Sequence, residues 1–446
     1  MINEQLPSII QQYKGYFWSI TDTENDVPGI ITRYSNNRIE LELIGSLSSN
    51  NNRFAEFTGN KSEKRKVCVI HGVDSDAKKI SLYAIHNGAS QNLSCPFPMV
   101  KYRVIYMVYG KHLDDFDGTY AFEVEARFHE LRWWCPPDII KQYFHFDKNK
   151  IDKISIEADV SLADCPIFEE VLSNEMTIKL NRDCGYDGGE FNEDPLLSQD
   201  TTFCITKHSG LSIPETIKTI FRFEKFLTFA AQKECHFSEI RLLDEETIQV
   251  TNDGEKHYLP VYLYVERFIE ENQRKTVNFL FHFSEVRDSL HKIINNWLVD
   301  DDDFPLIIEH LVDSIVAHRS FNSTEFMTII QGVDGFWQRF REDSYKQANN
   351  LKASTTIGLD KELESLFNEF KTEVEFDESG IDIASIKDTR DFYSHLLKKG
   401  KKKKVLQGGE LYKTTKELRK LLVCCVMKET GFDSTTIKKV IKDRLI

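Results

Sequence analysis

No apolar run in these 446 residues approaches the roughly 18–20 residues that a membrane span needs, so no membrane protein is expected. The N-terminal stretch MINEQLPSIIQQYKGYFW lacks the basic start, apolar centre and small-residue cleavage site of a secretory signal. Nine Cys are scattered and odd in number, with one adjacent pair, Cys424 and Cys425. That usage excludes a disulfide framework and points to reduced thiols and a cytoplasmic location. Cys184, Cys204, His208, Cys235 and His236 contain no Cys-x2–4-Cys knuckle, so no metal and no other cofactor is expected. A P-loop, a Rossmann glycine fingerprint and a Gly-x-Ser-x-Gly elbow are all missing, as are internal repeats.

What is present is an ordinary globular composition, 41% hydrophobic and 29% charged. The chain is too long for one hydrophobic core, which predicts two or three domains. The net charge of −14 divides unevenly. From 386 to 446 there are 17 Lys and Arg against 7 Asp and Glu, a balance of +10, leaving 40 against 64, or −24, in the rest. A basic tail thus follows an acidic body. A polyanion responds to the local field, within a Debye length of about 8–10 Å, and not to the total charge.

Alternating or β-branched runs at 28–34, 38–45, 66–73, 79–85, 101–109 and 120–134 predict strands, separated by polar turns such as 46–53. A second set is expected over 153–182 and at 202–207, 237–243 and 258–267. One helix interrupts it at 214–232, with Ser212 as its cap. After about 283 the period changes to helical. Helices are expected at 284–298, 306–319, 323–342, 359–371, 385–398, 409–429 and 434–445, with Gly431 as a C′ residue. Asp360 and Glu362 give one of them an acidic first turn. The acidic run 300–303 and Pro305 mark the expected break. The fold class expected is α+β, a β-rich half of sandwich-like sheets followed by an all-α bundle. Its parts are 1–282 (two subdomains, about 1–150 and 151–282), a connecting helix and acidic linker at 283–304, and the bundle at 305–446.

The phrase that can carry chemistry is DTRDFYSHLLKK at 388–399, an Arg-x4-His arrangement of Arg390 and His395. With 19 Arg, 13 His and three allowed spacings (x4 to x6), about two such matches arise by chance. A second one, Arg65 with His71, indeed sits on an expected strand. Arg390 and His395 differ in context: a helix, the basic tail, and Asp391 four residues before His395, where its carboxylate can reach the imidazole and fix its tautomer. Five residues along an ideal helix turn through roughly 140°. The two groups therefore converge only if the helix is distorted at its start or if two chains bring their motifs together.

This combination resembles the HEPN superfamily, whose ribonucleases carry Arg-x4–6-His with a polar residue after the Arg on a dimerising helical bundle. More narrowly, the chain resembles the ApeA-type anti-phage HEPN proteins over nearly its whole length. Residues 15–47 and 70–82 look like that family's N-terminal β-rich domain, and 281–297 and 318–336 like its junction and first HEPN helices. Residues 389–395 and 408–422 look like its catalytic helix and the one after. The family residue after the Arg is often Asn, and here it is Asp391. The resemblance implies a homodimeric endoribonuclease that attacks host RNA (tRNA or mRNA) in abortive infection. The N-terminal half would sense a phage-derived trigger, and its acidity could mask the basic tail until then.

Metal-free RNA cleavage activates a ribose 2′-OH against the neighbouring phosphate. It needs a base, an acid for the leaving 5′-oxygen, and positive charge on the transition state. His395 fits the first two roles, since imidazole titrates near neutrality. Arg390 fits the third by holding a phosphate bidentately. Asp391 completes the expected catalytic set. Lys398, Lys399, Lys401, Lys402, Lys403 and Lys404 follow directly and are expected to bind flanking phosphates. The rival reading is a non-catalytic scaffold for RNA binding or dimerisation.

Overall fold

The computed structural model describes residues 7–47, 67–90, 99–120, 122–147, 150–187, 196–250, 256–267, 278–299, 304–316, 323–398, 400–402 and 404–444. Six antiparallel strands open the chain: β1 (Ile9–Ser19), β2 (Asp22–Tyr34), β3 (Ile39–Ile44), β4 (Val67–Asp74), β5 (Lys79–Ser90) and β6 (Met99–Tyr109). Their order, β6-β3-β2-β1-β4-β5, returns to β6 through a β5–β6 pairing, so they close into a barrel. Alternation decides which side chains point inward. In β3, Ile39, Leu41 and Leu43 are buried while Glu40 and Glu42 face outward. Phe17, Ile31, Ile70, Ile80, Leu82, Val104 and Met107 fill the interior. A Cβ at Gly72 would lie 2.4 Å from the Phe17 ring, so only glycine fits there. The strand β1 is not expected from sequence, because polar Gln11, Gln12 and Lys14 dilute its alternation and only Tyr13 and Phe17 are buried.

Next come β7 (Phe122–Phe128), α1 (Leu131–Trp134), β8 (Ile140–Asp147), β9 (Lys150–Ala158), β10 (Phe168–Val171), β11 (Met176–Asp187) and β12 (Leu196–Lys207). The strand expected over 120–134 stops at Phe128. A single helical turn then carries Trp134 into the core, where its Nε1 donates to Phe281 O at 3.0 Å. After α2 (Ile213–Ala231) come β13 (Phe237–Asp244), β14 (Ile248–Val250), β15 (Lys256–Tyr258) and β16 (Val261–Val265). A second antiparallel sheet runs β10-β11-β12-β7-β13-β16 and joins the barrel where β16 pairs with the end of β6. The β-rich half is therefore a barrel and an open sheet sharing one strand.

Helix α2 starts as expected, Ser212 Oγ accepting from Glu215 N at 3.2 Å. It is buried on two sides. Phe223 stacks on Phe203 of the sheet at 3.8 Å between ring centroids, and Phe229 stacks on Trp297 at 5.5 Å. Trp297 belongs to the helical region: α3 (Phe283–Val286), α4 (Leu290–Leu298), α5 (Phe304–Val316), α6 (Ser323–Phe340), α7 (Glu342–Ala348), α8 (Leu359–Phe370), α9 (Ile383–Ser394), α10 (Gly408–Thr430) and α11 (Ser434–Asp443). The β-rich half followed by a helical bundle is the architecture that the sequence predicts.

The differences lie at helix ends. The helix expected at 284–298 is two pieces, α3 and α4, and α7 is an extra turn after α6. The helix expected at 385–398 stops at Ser394. Pro305 does not break the chain. It sits in the first turn of α5, where a missing N–H is not needed. Residues 300–303 and Arg65 lie outside the described residues. Central in the bundle is α10, buried on every side from Leu421 to Met427, with Gly431 at φ +101° closing it as a C′ residue. Burial pushes the Cys424 thiol up to about 12, so it stays protonated. Among the described residues no helix is long and apolar enough to cross a membrane.

The last helix is tied back to the junction by Glu285 of α3. Its carboxylate accepts from Arg444 Nη1 at 2.6 Å, from Lys439 Nζ at 2.6 Å and from His282 N at 2.9 Å. Arg444 above all, with Lys439, holds its pKa down to about 2 against the opposing effect of burial. The sign follows: an acid with a lowered folded pKa adds stability above its unfolded value, about 4.5, and loses it as pH falls towards 2. We expect Glu285→Gln to cost about 1–2 kcal/mol at pH 7, after allowance for solvent screening. Thermal melts should show the gap to wild type closing between pH 4.5 and 2. An equal gap at pH 7 and pH 2.5 would rule out the ion pair as its source.

Candidate active site

Helix α9 begins at Asp382, whose carboxylate accepts from Ala384 N at 3.1 Å and Ser385 N at 3.3 Å. The Ser385 hydroxyl and then Lys404 hold the Asp382 pKa down at about 2. Ser385, Ile386 and Thr389 form the buried face. Thr389 Oγ1 donates to Ser385 O at 2.6 Å and accepts from Leu406 N at 2.9 Å, which staples the following loop to the helix.

Arg390 follows on the edge of that face, its side chain 34% exposed. Its Nη2 donates to Asp334 Oδ2 of α6 at 3.3 Å and its Nη1 to Asp391 Oδ1 at 3.2 Å. Two carboxylates thus orient the guanidinium while part of it still meets solvent. His395 caps the helix at φ −103°, ψ 6°, its N–H bonding Asp391 O at 3.1 Å. Leu396 then takes a left-handed φ of +46° and is 87% exposed. A non-glycine residue there carries strain of about 1–2 kcal/mol. The turn leaves the exposed His395 on the last projecting position of the helix.

One expectation needs correction. Asp391 does not bond the His395 imidazole. Its carboxylate takes Lys402 Nζ at 2.7 Å and Arg390 instead. Burial alone would raise the Asp391 pKa, but those two cations outweigh it and hold it below the usual range. Nor is the lysine run uniformly free. Lys402 pairs with Asp391 and, at 3.4 Å, with Asp388, and Lys404 Nζ pairs with Asp382 at 3.0 Å. The aspartates of α9 itself therefore compensate these two charges locally. Lys398 and Lys401 are exposed and carry no ion pair among the described residues. Lys399 and Lys403 lie outside the described residues.

The sequence reading missed the carboxyl groups behind Arg390. Asp334 also accepts from Gln338 Nε2 through its Oδ1, and beside it lies Glu362 in the first turn of α8. Glu362 is 5% exposed, and its Oε2 has no donor among the described residues. A helix N-terminus favours an anion by about 0.3–1 kcal/mol, whereas burying a charge costs several kcal/mol. Burial wins. Reinforced by Asp334 and Glu342 against Arg390, it pushes the Glu362 pKa up to about 8. A signal for this was available: Leu359, Glu362, Leu363, Leu366 and Phe370 share one apolar stripe, and the carboxyl is its polar intruder.

Among the described residues no three His, Cys, Asp or Glu side chains are grouped to hold a metal ion, and the Cys and His set named above does not assemble. No curated protein and no solved structure matches the chain. Two family models do. One, described as ApeA N-terminal domain 1, matches residues 12–297, and the other, described as Apea-like HEPN, matches residues 327–436. The second match contains α7 to α10 whole, with Arg390, His395 and the carboxyls behind them. Since the first match alone spans more than half of the 446 residues, the chain belongs to the ApeA-type HEPN family.

Proposed function

We propose that this chain is a metal-independent endoribonuclease of anti-phage defence that acts by abortive infection. Family membership supports an HEPN-type nuclease and defence role. The observation that carries the finer reading is α9 itself, which offers an exposed imidazole at its C-terminal cap and a partly exposed guanidinium held by two carboxylates. In this reading His395 takes the 2′-OH proton or protonates the leaving 5′-oxygen. Arg390 binds the phosphate and stabilises its developing charge. The products are a 2′,3′-cyclic phosphate and a 5′-hydroxyl, and DNA, lacking the 2′-OH, does not react. Asp391 acts on Arg390 and Lys402, not on the imidazole. The 1–282 region is the sensor of a phage-derived trigger, 283–304 the connector and 305–446 the nuclease.

One observation favours the scaffold reading: both described ion pairs of Arg390 are within the bundle, so a phosphate must compete with Asp334 and Asp391. Labelled RNA incubated in EDTA separates the two readings. We expect cyclic-phosphate ends from wild type and a loss of roughly 10²–10⁴-fold in rate for His395→Ala and for Arg390→Ala, with melting temperatures close to wild type. A folded variant of either kind that cleaves at the wild-type rate ends the catalytic assignment.

Binding is expected to divide the lysines. Lys398→Gln with Lys401→Gln should lower the slope of log K against log salt by about 1.4, at about 0.7 per phosphate contact on single strands. Lys402→Gln should change it less, because its charge is already compensated. Filter binding across a salt series measures this, and equal slopes for all variants would make the loop a bystander.

One chain presents Arg390 inward and His395 at the helix end, so the complete site is expected to be composite. An isologous dimer brings two motif helices together, and the exposed Leu396 beside His395 supplies an apolar contact for it. Light scattering alongside specific activity should show full activity only in the dimer. A monomer that cleaves at the full rate refutes it.

A further inference from the structure

We propose that Glu362 is a positioning residue for the motif: its carboxyl proton, shared with Asp334, sets that carboxylate against the Arg390 guanidinium. This rests on the ribonuclease reading above. The geometry is a relay across three helices. Arg390 of α9 donates to Asp334 Oδ2 at 3.3 Å, Gln338 of α6 donates to Asp334 Oδ1, and Glu362 of α8, itself buried, neighbours the same carboxylate. Two carboxylates side by side in a buried place repel unless a proton lies between them. The buried Oε2 of Glu362, which has no hydrogen-bond partner among the described residues, agrees with a carboxyl that holds a proton, since an ionised one would leave a buried charge without a donor.

Charged groups from three helices act most strongly on Glu362. Asp334 comes from α6, Glu342 from α7 and Arg390 from α9. Lys428 of α10 and Arg341, between α6 and α7, reach Glu369, seven residues further on. Within α8, Asp360 is turned to Lys387. Protonated, the Asp334 and Glu362 pair carries one negative charge and leaves Arg390 able to turn to a phosphate. Deprotonated, it carries two, and the guanidinium is drawn into the bundle. Burial, with Asp334 next, raises the Glu362 pKa to about 8, so the proton is expected to leave in the mildly alkaline range.

Two measurements on the full chain test this. In the first, kcat/KM on labelled RNA is followed from pH 6 to 9.5. Wild type is expected to decline above about pH 8. Glu362→Ala, with no donor, should fall at least tenfold at pH 7, and Glu362→Gln, which keeps a donor but cannot ionise, should recover most of that loss and flatten the decline. Equal rates and equal alkaline limbs in all three overturn the proposal. The second measurement needs no activity, so it separates failure here from failure of the ribonuclease reading. Infrared titration should show a protonated carboxyl at pH 7 that disappears with a midpoint near 8 and is absent in Glu362→Gln. In Arg390→Ala the midpoint should move up, because the cation that lowers it is gone. No such band at pH 7, or an unmoved midpoint in Arg390→Ala, overturns the proposal whether or not the protein cleaves RNA.

Discussion

The ring contacts on the two sides of α2 hold the sheet and the bundle in one core. Phe223 lies on Phe203 of the sheet, while Phe226 and Phe229 reach Trp297 and Phe281 at the entry to the bundle. Burying one large aromatic side chain is worth about 1.5–3 kcal/mol, more than a typical surface ion pair, at about 0–1 kcal/mol. The helix therefore cannot leave one partner without uncovering the face that serves the other. Polar contacts then fix the alignment: Trp297 Nε1 donates to Arg222 O at 2.9 Å, and Arg222 Nη1 to Leu298 O at 2.7 Å. The ties from Glu285 to α11 extend the same block to the last helix.

Within that rigid frame the motif is an electrostatically crowded place. Arg390, Lys402 and Lys404 face Asp334, Asp391, Asp388 and Asp382, so much of the basic excess near α9 is compensated locally. The arrangement favours orientation over raw attraction. A guanidinium held by two carboxylates keeps one geometry, whereas an unpaired one samples many and gives up more entropy on binding. Lys398 and Lys401, by contrast, are exposed and carry no ion pair among the described residues.

Much of this was legible in the sequence. The alternation of β3 and of β5, the cap at Ser212, the periodicity of α10 and the glycine at 431 each state a local rule that the fold obeys. Barrel closure was not legible, because strand pairing is a property of the whole sheet and no residue of β5 or β6 signals that the two will meet. The end of α9 was missed by a few residues because Leu396, a good helix former, occupies a left-handed position usually held by glycine. The imidazole contact expected for Asp391 assumed that sequence spacing decides partners. Lys402, eleven residues away, won because the loop folds back. Glu362 was read as a helix-start residue although its place on the apolar stripe marked it as buried.

Closing the barrel on β6 also decides how the protein lives with so many strands. An open sheet ends in two unpaired strands, each a template for a neighbouring molecule. Here one end of the twelve-stranded sheet is consumed by the β5–β6 pairing. The other end is β10, only four residues long, with Glu169 and Glu170 at its centre. A short strand carrying two like charges pairs poorly with a copy of itself. At β10 the twelve-stranded sheet therefore offers little purchase for edge-to-edge aggregation, and the exposed edge that remains at this end is Asn181–Asp187 of β11, which among the described residues pairs with β12 alone.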